Sequence, residues 1–448
     1  MSFSSWWNEL AGKGLPPGVY KFDGKDALEH HRFHLRIDSA QKGALLIDAS
    51  SIIFLNGSAV DHVRCVLETR DEKQAARYLR RRYRHLDKAT ALADLNEVRS
   101  QLVDHVSGRS VIEIMGTERM DIGKDDLPAP YRMDLAITYR CQNDCAHCYN
   151  EHREMRELSV AEWKQVIAKT WKLGIPHIVF TGGEPTLFEG LDQLVAESER
   201  YGQVTGLVTN GRMLAKEGYL RDLVVKGLDH VQVTVLSQAA EEHDRLVGAP
   251  GAWIETINGV KAAVQEDVYL STNTTILRSN LNSIEGTMRF LISIGVRNIA
   301  FNSIIRSGKG TEVDGVTYAE LTAVLKKLQA IAAEAQVRLI WYTPTPYHEL
   351  NPINLGLGIK QCTACSLNMA VEPDGAVLPC QSYYEPLGNI LTDPWDKIWN
   401  HDQCLQIRQR RYLDEKCSNC ALVNTCGGGC PLARKHGDYQ CRDSSSSL

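Results

Sequence analysis

Residues 133–149 read MDLAITYRCQNDCAHCY, and this stretch carries most of what the sequence says about the fold. An apolar run of strand type leads directly into three closely spaced cysteines, Cys141, Cys145 and Cys148. Thiolates hold iron–sulfur clusters, and a loop that supplies only three of them leaves one iron of a four-iron cluster open. A structural zinc site would need a fourth cysteine or histidine, and the only such neighbour, His147, lies between two of the cysteines.

The aromatic residue Tyr149 follows the third cysteine at once. The complete motif resembles the signature of the radical S-adenosylmethionine (SAM) enzymes. The resemblance implies that the open iron binds the amino and carboxylate groups of SAM. It also implies that the reduced cluster cleaves SAM to a 5′-deoxyadenosyl radical, which removes a hydrogen atom from the substrate. From the spacing alone, zinc stays open as an alternative.

A second motif, Thr181-Gly182-Gly183-Glu184-Pro185, follows the apolar run His177–Phe180. Two glycines at a strand end let backbone carbonyls come close to a ligand, and a neighbouring carboxylate can accept hydrogen bonds from a cationic amine. By itself the segment would be an ordinary strand-to-helix turn. Joined to the cysteines, it resembles the GGEP motif that binds the SAM amine in the same family. The resemblance assigns further SAM contacts to Tyr149, Thr209, Asn210, Thr234 and Ser237.

A second group of cysteines lies near the end of the chain. Cys365 is followed after nine residues by Gly375, and after four more residues by Cys380. Cys362 lies three positions before this series. The others follow at spacings of two, five, three and ten intervening residues: Cys417, Cys420, Cys426, Cys430 and Cys441. Since Cys-x2-Cys pairs are typical of zinc sites, the spacing alone leaves zinc ribbons or a disulfide-rich module open.

This series resembles the SPASM extension of radical SAM enzymes, and every spacing lies inside that pattern. Its eight thiolates are the number that two four-iron clusters need. The resemblance implies auxiliary cluster I on Cys362, Cys365, Cys380 and Cys430, and auxiliary cluster II on Cys417, Cys420, Cys426 and Cys441. With the SAM-binding cluster, the expected cofactors are SAM and three [4Fe–4S] clusters. The two remaining cysteines are interpreted as buried packing residues, Cys65 and Cys404.

The middle of the chain alternates strand-like and helix-like patterns, which predicts parallel strands with crossover helices. The predicted strands are Met133–Thr138, His177–Thr181, Val204–Thr209, His230–Leu236, Val268–Thr275 and Asn298–Ser303. The predicted helices are Val160–Leu173, Leu187–Tyr201, Leu214–Val225, Ile254–Val264 and Ser283–Ile294. Six such units are too few for an eight-stranded barrel and match the partial (β/α)6 TIM-type barrel of radical SAM enzymes. The His–Asp pair in Glu242–Arg245 is interpreted as a helix-capping loop and not as a catalytic dyad.

The N-terminal third has a different pattern. Short strands are predicted at Arg32–Asp38, Gly43–Ile47 and Ser51–Leu55, and helices at Ser58–Leu67, Glu72–Tyr83 and Leu92–Val106. This order resembles the PqqD-like domain, a winged helix-turn-helix in which a leader peptide adds to a three-stranded sheet. A DNA-reading winged helix is the alternative, because of five clustered arginines, Arg77, Arg80, Arg81, Arg82 and Arg84. Flanking acidic residues favour a solvated face or a clamp for an acidic leader.

Composition limits the partners. The net charge is −5 and the pI is near 6.3, which gives no general attraction to nucleic acid or to an anionic membrane. We expect neither a secretory segment nor a membrane span, because no apolar stretch of either kind is recognisable. Thiolates at this density must stay reduced, so the expected location is cytoplasmic, in an anaerobic or well-protected cell.

The combined prediction is an α/β enzyme with three domains: a PqqD-like domain at 1–110, a radical SAM partial barrel at 128–345 and a SPASM domain at 346–448. Residues 107–130 are the predicted linker. By resemblance it modifies a ribosomally made precursor peptide, forming a thioether or carbon–carbon crosslink. A reductant such as flavodoxin or ferredoxin is the expected electron donor, and no catalytic base is assigned.

Two alternatives are retained. One is an oxidase of the anaerobic sulfatase-maturing type, which makes formylglycine. That branch has an acidic residue directly after the cysteine that corresponds to Cys380, where this chain has Gln381. The other is a non-catalytic iron–sulfur regulator that binds peptide or DNA through the N-terminal domain.

Overall fold

The computed structural model describes residues 14–29, 31–38, 41–47, 51–68, 71–106, 127–151 and 153–439. The chain divides into two compact units, Met1–Asp121 and Ile122–Leu448. Cys441, the serine-rich C-terminal tail and most of the predicted linker lie outside the described residues. The helices of the described part include none that is long and apolar enough to cross a membrane.

The N-terminal unit is an antiparallel sheet followed by three helices. Its strands are β1 (Gly18–Asp23), β2 (Arg32–Ile37), β3 (Gly43–Ile47) and β4 (Ser51–Leu55), paired in chain order. Its helices are α1 (Gly57–Leu67), α2 (Glu72–Arg82) and α3 (Lys88–Val106). Asn56 and Asp71 begin the first two helices by accepting hydrogen bonds from the amides of Ala59 and Gln74.

The prediction of three strands was wrong by one, because it omitted β1. This strand pairs with β2 along its whole length, from Gly18 opposite Ile37 to Asp23 opposite Arg32. Tyr20 and Phe22 alternate with polar neighbours and pack against the core of the unit, so the period-two signal of a half-buried strand was present. The sheet therefore has four strands, with β1 and β4 at its edges.

The C-terminal unit is built on one ten-stranded sheet. Its strands are β5 (Arg132–Thr138), β6 (His177–Gly182), β7 (Val204–Thr209), β8 (His230–Thr234), β9 (Tyr269–Ile276), β10 (Asn298–Ser303), β11 (Arg338–Trp341), β12 (Asn368–Val371), β13 (Ala376–Leu378) and β14 (Gly388–Asn389). Strands β5 to β10 are parallel neighbours in chain order, as the partial (β/α)6 barrel requires. The structure extends this set, since β11 joins β10 and β12 joins β5, both in parallel.

The C-terminal unit also contains helices, the longer of which pack in one core with the sheet. They are α4 (Val160–Lys172), α5 (Leu191–Tyr201), α6 (Tyr219–Val225), α7 (Ala240–Val247), α8 (Ala252–Gln265), α9 (Ile284–Ser293), α10 (Tyr318–Ala335), α11 (Trp395–Trp399), α12 (Asp402–Arg408), α13 (Glu415–Ser418), α14 (Val423–Cys426) and α15 (Pro431–His436). Two predicted helices are shorter than expected and follow separate 3-10 turns. The interruptions occur at Gly190 and Gly218, whose positive φ angles of 100° and 76° do not belong to a helix.

The strands that carry the site are buried on both faces. In β6 every residue is buried, and the apolar side chains of Ile178 and Phe180 lie in the same core as Trp163 of α4. A capping box between Ser159 and Glu162 begins α4. Burial on both faces is typical of parallel strands covered by helices, and it makes the carboxyl ends of these strands a rigid platform.

Candidate functional site

The three-cysteine loop follows β5 directly and is held by backbone hydrogen bonds to the last turn of α7. The amides of Asp144 and Ala146 donate to the carbonyls of Val247 and Leu246, at 2.8 and 3.1 Å. Glycine at position 248 permits this close approach, because a Cβ there would lie 2.4 Å from the carbonyl oxygen of Asp144. The loop conformation is therefore set by α7, about a hundred residues further along the chain.

Two basic residues hold the outer side of the same loop. The guanidinium of Arg212 donates to the carbonyl of Gln142 and to Oδ1 of Asn143, at 3.3 and 2.8 Å. It also pairs with Glu255 of α8 at 2.5 Å. Lys309 forms an ion pair with Asp144. These contacts fix the segment between Cys141 and Cys145 without using either thiol.

The three thiols share a crowded, partly buried environment. Burial, together with repulsion from the neighbouring thiolates, raises the pKa of Cys145 to about 12. Burial likewise raises the pKa of Cys141 to about 11, and it raises that of Cys148. Metal coordination removes the thiol proton and compensates thiolate charge. The thiols are free, so the loop is suited to hold a cationic metal centre.

The cysteine loop is not preformed as a site for a single metal ion. Among the described residues, no three His, Cys, Asp or Glu side chains converge closely enough to hold one metal ion. Zinc would require such convergence, since each thiolate must lie about 2.3 Å from the ion. In a four-iron cluster each cysteine binds a different iron, so the sulfurs stand further apart. His147 lies within the loop, where loss of solvation by the surrounding protein lowers its pKa to about 4.

Gly182 and Gly183 lie at the end of β6, directly against the segment that leads into the cysteine loop. A Cβ on Gly182 would lie 2.1 Å from the carbonyl oxygen of Thr138, and one on Gly183 would lie 2.5 Å from that of Tyr139. The amide of Gly183 donates to the carbonyl of Thr138 at 2.8 Å. The glycine pair is therefore needed for close approach of two backbones, in addition to any contact with a ligand.

Glu184 is fully buried and accepts four hydrogen bonds from protein groups. Its Oε1 accepts from the amide and hydroxyl of Thr186 and from the hydroxyl of Thr209, at 3.1, 2.6 and 2.7 Å. Its Oε2 accepts from the amide of Asn210 at 2.8 Å. Burial raises the pKa of Glu184, while these hydrogen bonds oppose the shift. The carboxylate thus ties β6 to the end of β7, a role that the sequence did not predict.

The other predicted SAM residues lie at neighbouring strand ends. Thr209 is buried at the end of β7, and the buried Nδ2 of Asn210 makes no hydrogen bond with the described residues. That amide lies beside Cys141, whose thiolate it would stabilise. Ser237 is buried beyond β8 and accepts from the amide of Ala239, whereas Thr234 is partly exposed at the strand end. The structure brings these residues to one end of the barrel.

The segment Glu242–Arg245 lies inside α7, so its assignment to a loop was wrong. The expected capping role is present: Asp244 accepts hydrogen bonds from the amides of Gly251 and Trp253, at 2.6 and 2.7 Å, beside the start of α8. His243 is buried and its Nδ1 faces the amide of Leu236 at 3.3 Å. Burial lowers the pKa of His243 to about 4. These contacts account for both side chains structurally.

The ligands predicted for auxiliary cluster I are brought together around β12 and β13. Burial raises the pKa of Cys380 to about 12, with repulsion from Cys430 as a further cause. Burial also raises the pKa of Cys362, and repulsion from Cys430 and Cys380 adds to it. Cys365 lies near Cys380 but interacts most strongly with the thiol of Cys404, and burial raises its pKa. Cys404 is buried, as predicted, and also accepts from Arg408 at 3.3 Å.

The described ligands predicted for auxiliary cluster II lie on the short C-terminal helices. Sγ of Cys426 accepts from the amide of Tyr347 at 3.3 Å, and Sγ of Cys420 accepts from the amide of Leu422 at 3.4 Å. Amide hydrogen bonds of this kind stabilise cluster thiolates. Cys417 is disulfide-bonded, and Cys65 is buried as the sequence predicted. A role for Cys417 in a cluster therefore requires its reduced form.

A small cavity beside the SAM motifs was not anticipated from the sequence. It measures about 10 Å³ and is bordered by Tyr139, Tyr149, Asn150, Gly182, Glu372 and Gln381, among others. Glu372, which directly follows β12, is only 2% exposed. The hydroxyl of Tyr139 donates to Glu372 at 3.1 Å, and Arg153 lies 3.9 Å from it. The signal available in the sequence was a carboxylate at the end of a short apolar strand, Asn368–Val371.

Together these features define a class of protein: an open parallel barrel with a three-cysteine loop after its first strand and a cysteine-rich segment joined to the same sheet. Sequence comparison agrees in two places. Residues 135–291 match the radical SAM superfamily, and residues 362–421 match the SPASM iron–sulfur cluster-binding domain. The chain therefore contains a radical SAM domain and a SPASM domain, which support binding of SAM and of iron–sulfur clusters.

Two relatives that are similar in sequence carry the names of different activities. The PqqA peptide cyclase of Ruegeria pomeroyi is 28% identical over 320 residues, which cover 68% of this chain and 83% of that protein. The AdoMet-dependent heme synthase of Methanosarcina barkeri is 26% identical over 323 residues, which cover 67% of this chain and 91% of that protein.

Solved structures share the fold. SuiB of Streptococcus suis, bound to the precursor peptide SuiA, matches with a TM-score of 0.66 and 16% identity, over 96% of this chain and all of that chain. Native anSMEcpe with bound AdoMet matches with a TM-score of 0.55 and 18% identity, over 71% of this chain and 92% of that chain. The coverage by SuiB includes the N-terminal unit, which is consistent with the predicted PqqD-like domain.

Proposed function

We propose that this enzyme is a peptide maturase, which uses a 5′-deoxyadenosyl radical to form a thioether or carbon–carbon crosslink in a ribosomally made precursor peptide. The observation that carries the proposal is the combination, in one chain, of the radical SAM and SPASM domains with an N-terminal unit whose sheet has two edge strands. The similarity to PqqA peptide cyclase and to peptide-bound SuiB supports a peptide substrate.

When bound, the SAM-binding cluster supplies one electron to SAM and thereby starts radical chemistry. In this proposal Cys141, Cys145 and Cys148 hold it, and the eight C-terminal cysteines hold two auxiliary [4Fe–4S] clusters. The chain's own residues then have separate tasks. Gly182 and Gly183 would let backbone carbonyls come close to SAM. Glu184 positions Thr209 and Asn210, and the side-chain amide of Asn210 lies beside Cys141. A flavodoxin or ferredoxin is the proposed reductant.

Leader recognition is proposed for the N-terminal unit. A leader strand would pair with β1 or β4, and the backbone would supply most of the affinity. Four arginines of or beside α2 are exposed and available to acidic leader residues: Arg77, Arg80, Arg81 and Arg84. Arg82 is committed elsewhere, since its guanidinium pairs with the buried carboxylate of Asp61 at 3.1 Å. Four of the five arginines in the predicted cluster therefore remain available to a leader peptide.

The test of this proposal uses candidate precursor peptides, read from any short open reading frames found beside the gene and made synthetically. Reconstituted enzyme, SAM and dithionite are incubated with the peptide, and the products are analysed by mass spectrometry. We expect 5′-deoxyadenosine and a peptide that has lost two hydrogen atoms. SAM cleavage without any change in the peptide would reject that substrate, and a modified porphyrin in its place would favour a function like that of the heme synthase relative.

The formylglycine alternative is tested in the same experiment. Such a product would lack a crosslink and would carry an aldehyde, which reacts with hydrazide reagents. We expect no hydrazide adduct, because Gln381 has no carboxylate to act as a base at that position. The side chain of Gln381 is partly buried, and its Oε1 makes no hydrogen bond within the described residues.

A further inference from the structure

Glu372 is a buried carboxylate that the proposed chemistry has not used. It follows β12, whose last residue, Val371, pairs with Leu135 of β5. The carboxyl ends of these two parallel strands lie at the same edge of the sheet, so Glu372 lies at the end of the barrel that carries the cysteine loop. This position places a carboxylate from the SPASM segment beside the SAM motifs.

The cavity next to Glu372 connects it to residues on the SAM side. Tyr149 follows the third cysteine, Gly182 belongs to the glycine pair, and both border the cavity together with Glu372. Its volume of about 10 Å³ is close to the space that one water molecule needs. Such a water requires polar partners, and the residues that border the cavity include Glu372, Tyr139 and Gln381, which carry a carboxylate, a hydroxyl and an amide.

Hydrogen bonds fix the polar side chains around the cavity. Tyr139 donates to Glu372, and Tyr384 donates to Oδ1 of Asn150 at 3.1 Å. Asn150 in turn donates to the carbonyl of Gly182 at 2.5 Å. Oε1 of Gln381 is buried and has no hydrogen-bond donor among the described residues, so it can accept from a water in the cavity.

We propose that Glu372 accepts the proton that is released when the crosslink forms, and that this proton reaches Glu372 through the water-sized cavity. The inference rests on the proposed function. Joining a C–H carbon to an X–H partner removes one hydrogen atom, one electron and one proton. The hydrogen atom goes to the 5′-deoxyadenosyl radical, the electron to an auxiliary iron–sulfur cluster, and the proton to Glu372. The new bond is C–X, and the bonds broken are C–H and X–H.

The charges around Glu372 are consistent with a proton acceptor. Burial raises its pKa above the usual glutamate range, while the hydrogen bond from Tyr139 and the charge of Arg153 oppose that shift. Asp374 and Glu151 are the nearby acids, and both raise the pKa further. The proton acceptor must be ionised, so crosslink formation should fall as the pH decreases through this raised pKa. A purely structural carboxylate would not give the product yield this dependence.

The test compares Glu372→Gln with Glu151→Gln in full-length, reconstituted enzyme. Glu151 pairs with the same Arg153 but is a partly exposed residue that does not border the cavity, so it is a matched control. The probe is the synthetic precursor peptide used above. Iron content, SAM affinity and 5′-deoxyadenosine formation are measured together with the yield of crosslinked product, between about pH 5 and about pH 9.

We expect Glu372→Gln to bind iron and SAM normally and to form 5′-deoxyadenosine, while crosslinked product falls about 100-fold. The acidic limb of the wild-type pH profile should disappear, and Glu372→Asp should restore part of the product. Glu151→Gln should form as much crosslinked product as wild type at neutral pH and keep the acidic limb, which should move to lower pH because Glu151 no longer raises the pKa of Glu372. Equal product from Glu372→Gln, or loss of iron and SAM cleavage along with product, would overturn the inference. If the wild-type enzyme leaves the peptide unmodified, it is the proposed function that fails.

Discussion

At the scale of single residues, Glu184 shows how one side chain can serve both the fold and the site. Its carboxylate receives four hydrogen bonds from Thr186, Thr209 and Asn210, and it lies near enough to Cys141 to raise the pKa of that thiol. The sequence motif suggested only a contact with the SAM amine. Removing the carboxylate would therefore disturb the strand ends as well as any ligand.

Glu184→Ala should weaken SAM binding at least about tenfold and abolish 5′-deoxyadenosine formation, without loss of iron. Each buried donor left unpaired should lower stability by about 1–3 kcal/mol, since it loses its partner away from water. SAM titration, iron analysis and thermal unfolding are the measurements. Glu189→Ala is the control, because Glu189 is exposed five positions further on. SAM cleavage at the wild-type rate would mean that the motif is only a turn.

At the scale of elements, the ends of β5 and β6 depend on a backbone contact that only glycine permits. Gly183 lies so close to Tyr139 and Arg140 that a Cβ would stand 2.5 Å from both carbonyl oxygens. Backbone atoms cannot rotate away as the end of a long side chain can. A methyl group there must move one strand end relative to the other, together with the cysteine loop that follows β5.

Gly183→Ala should lower the melting temperature and reduce occupancy of the SAM-binding cluster, while auxiliary-cluster absorbance remains. The comparison is Gly286→Ala in α9, where a Cβ would meet only the flexible end of Gln238, at 2.8 Å. Alanine is favoured over glycine inside a helix by about 0.5–1 kcal/mol, so that variant should be neutral or slightly stabilising. Iron content and thermal unfolding distinguish the two; equal behaviour would show that β6 can shift freely.

At the scale of the whole molecule, the cofactor ligands and the proposed leader-binding surface belong to different compact units. Every cysteine assigned to a cluster lies after residue 121, and the exposed arginines lie before it. Metal content and leader recognition should therefore respond to different changes. This separation makes both assignments testable in the same preparation.

Enzyme reconstituted without oxygen should contain about twelve irons per chain, four for each cluster. Replacing Cys141, Cys145 and Cys148 together by Ala should reduce this to about eight and leave auxiliary absorbance in place. Iron analysis and electron paramagnetic resonance are the measurements. About four irons in the wild-type enzyme would refute the assignment of eight auxiliary ligands, and reduction of Cys417 beforehand is the necessary control.

Removing Met1–Ser107 should leave all clusters and SAM cleavage intact, because no assigned ligand lies there. Turnover of the full precursor should fall, whereas the core peptide without its leader should react equally with both forms. Arg80→Glu with Arg84→Glu should weaken precursor binding in a salt-dependent way. Lys88→Glu with Arg99→Glu, an equal charge reversal at exposed positions of α3, should have little effect. Equal precursor turnover by the truncated and complete enzymes would count against leader recognition.

The sequence by itself determined the radical SAM and SPASM class and the six parallel strands of the barrel, and it predicted the cysteine ligands. It could do so because strands and helices are local patterns, and because the cysteine spacings resemble those of known families, although spacing alone leaves zinc open. The cysteine loop at 141–148 and the series from Cys362 onward are of this kind. The edge strand β1 was also local, and its alternation of Tyr20 and Phe22 was overlooked.

Only the tertiary structure decided which distant residues share an environment. The pairing of β12 with β5 brings Glu372 to Tyr139, which is 233 positions away in the chain. The thiol contact between Cys365 and Cys404 and the network around Glu184 arise in the same way. No spacing rule encodes such contacts, because they depend on how strands order in the sheet. That order follows from burying the apolar faces of all elements at once, a property of the whole chain.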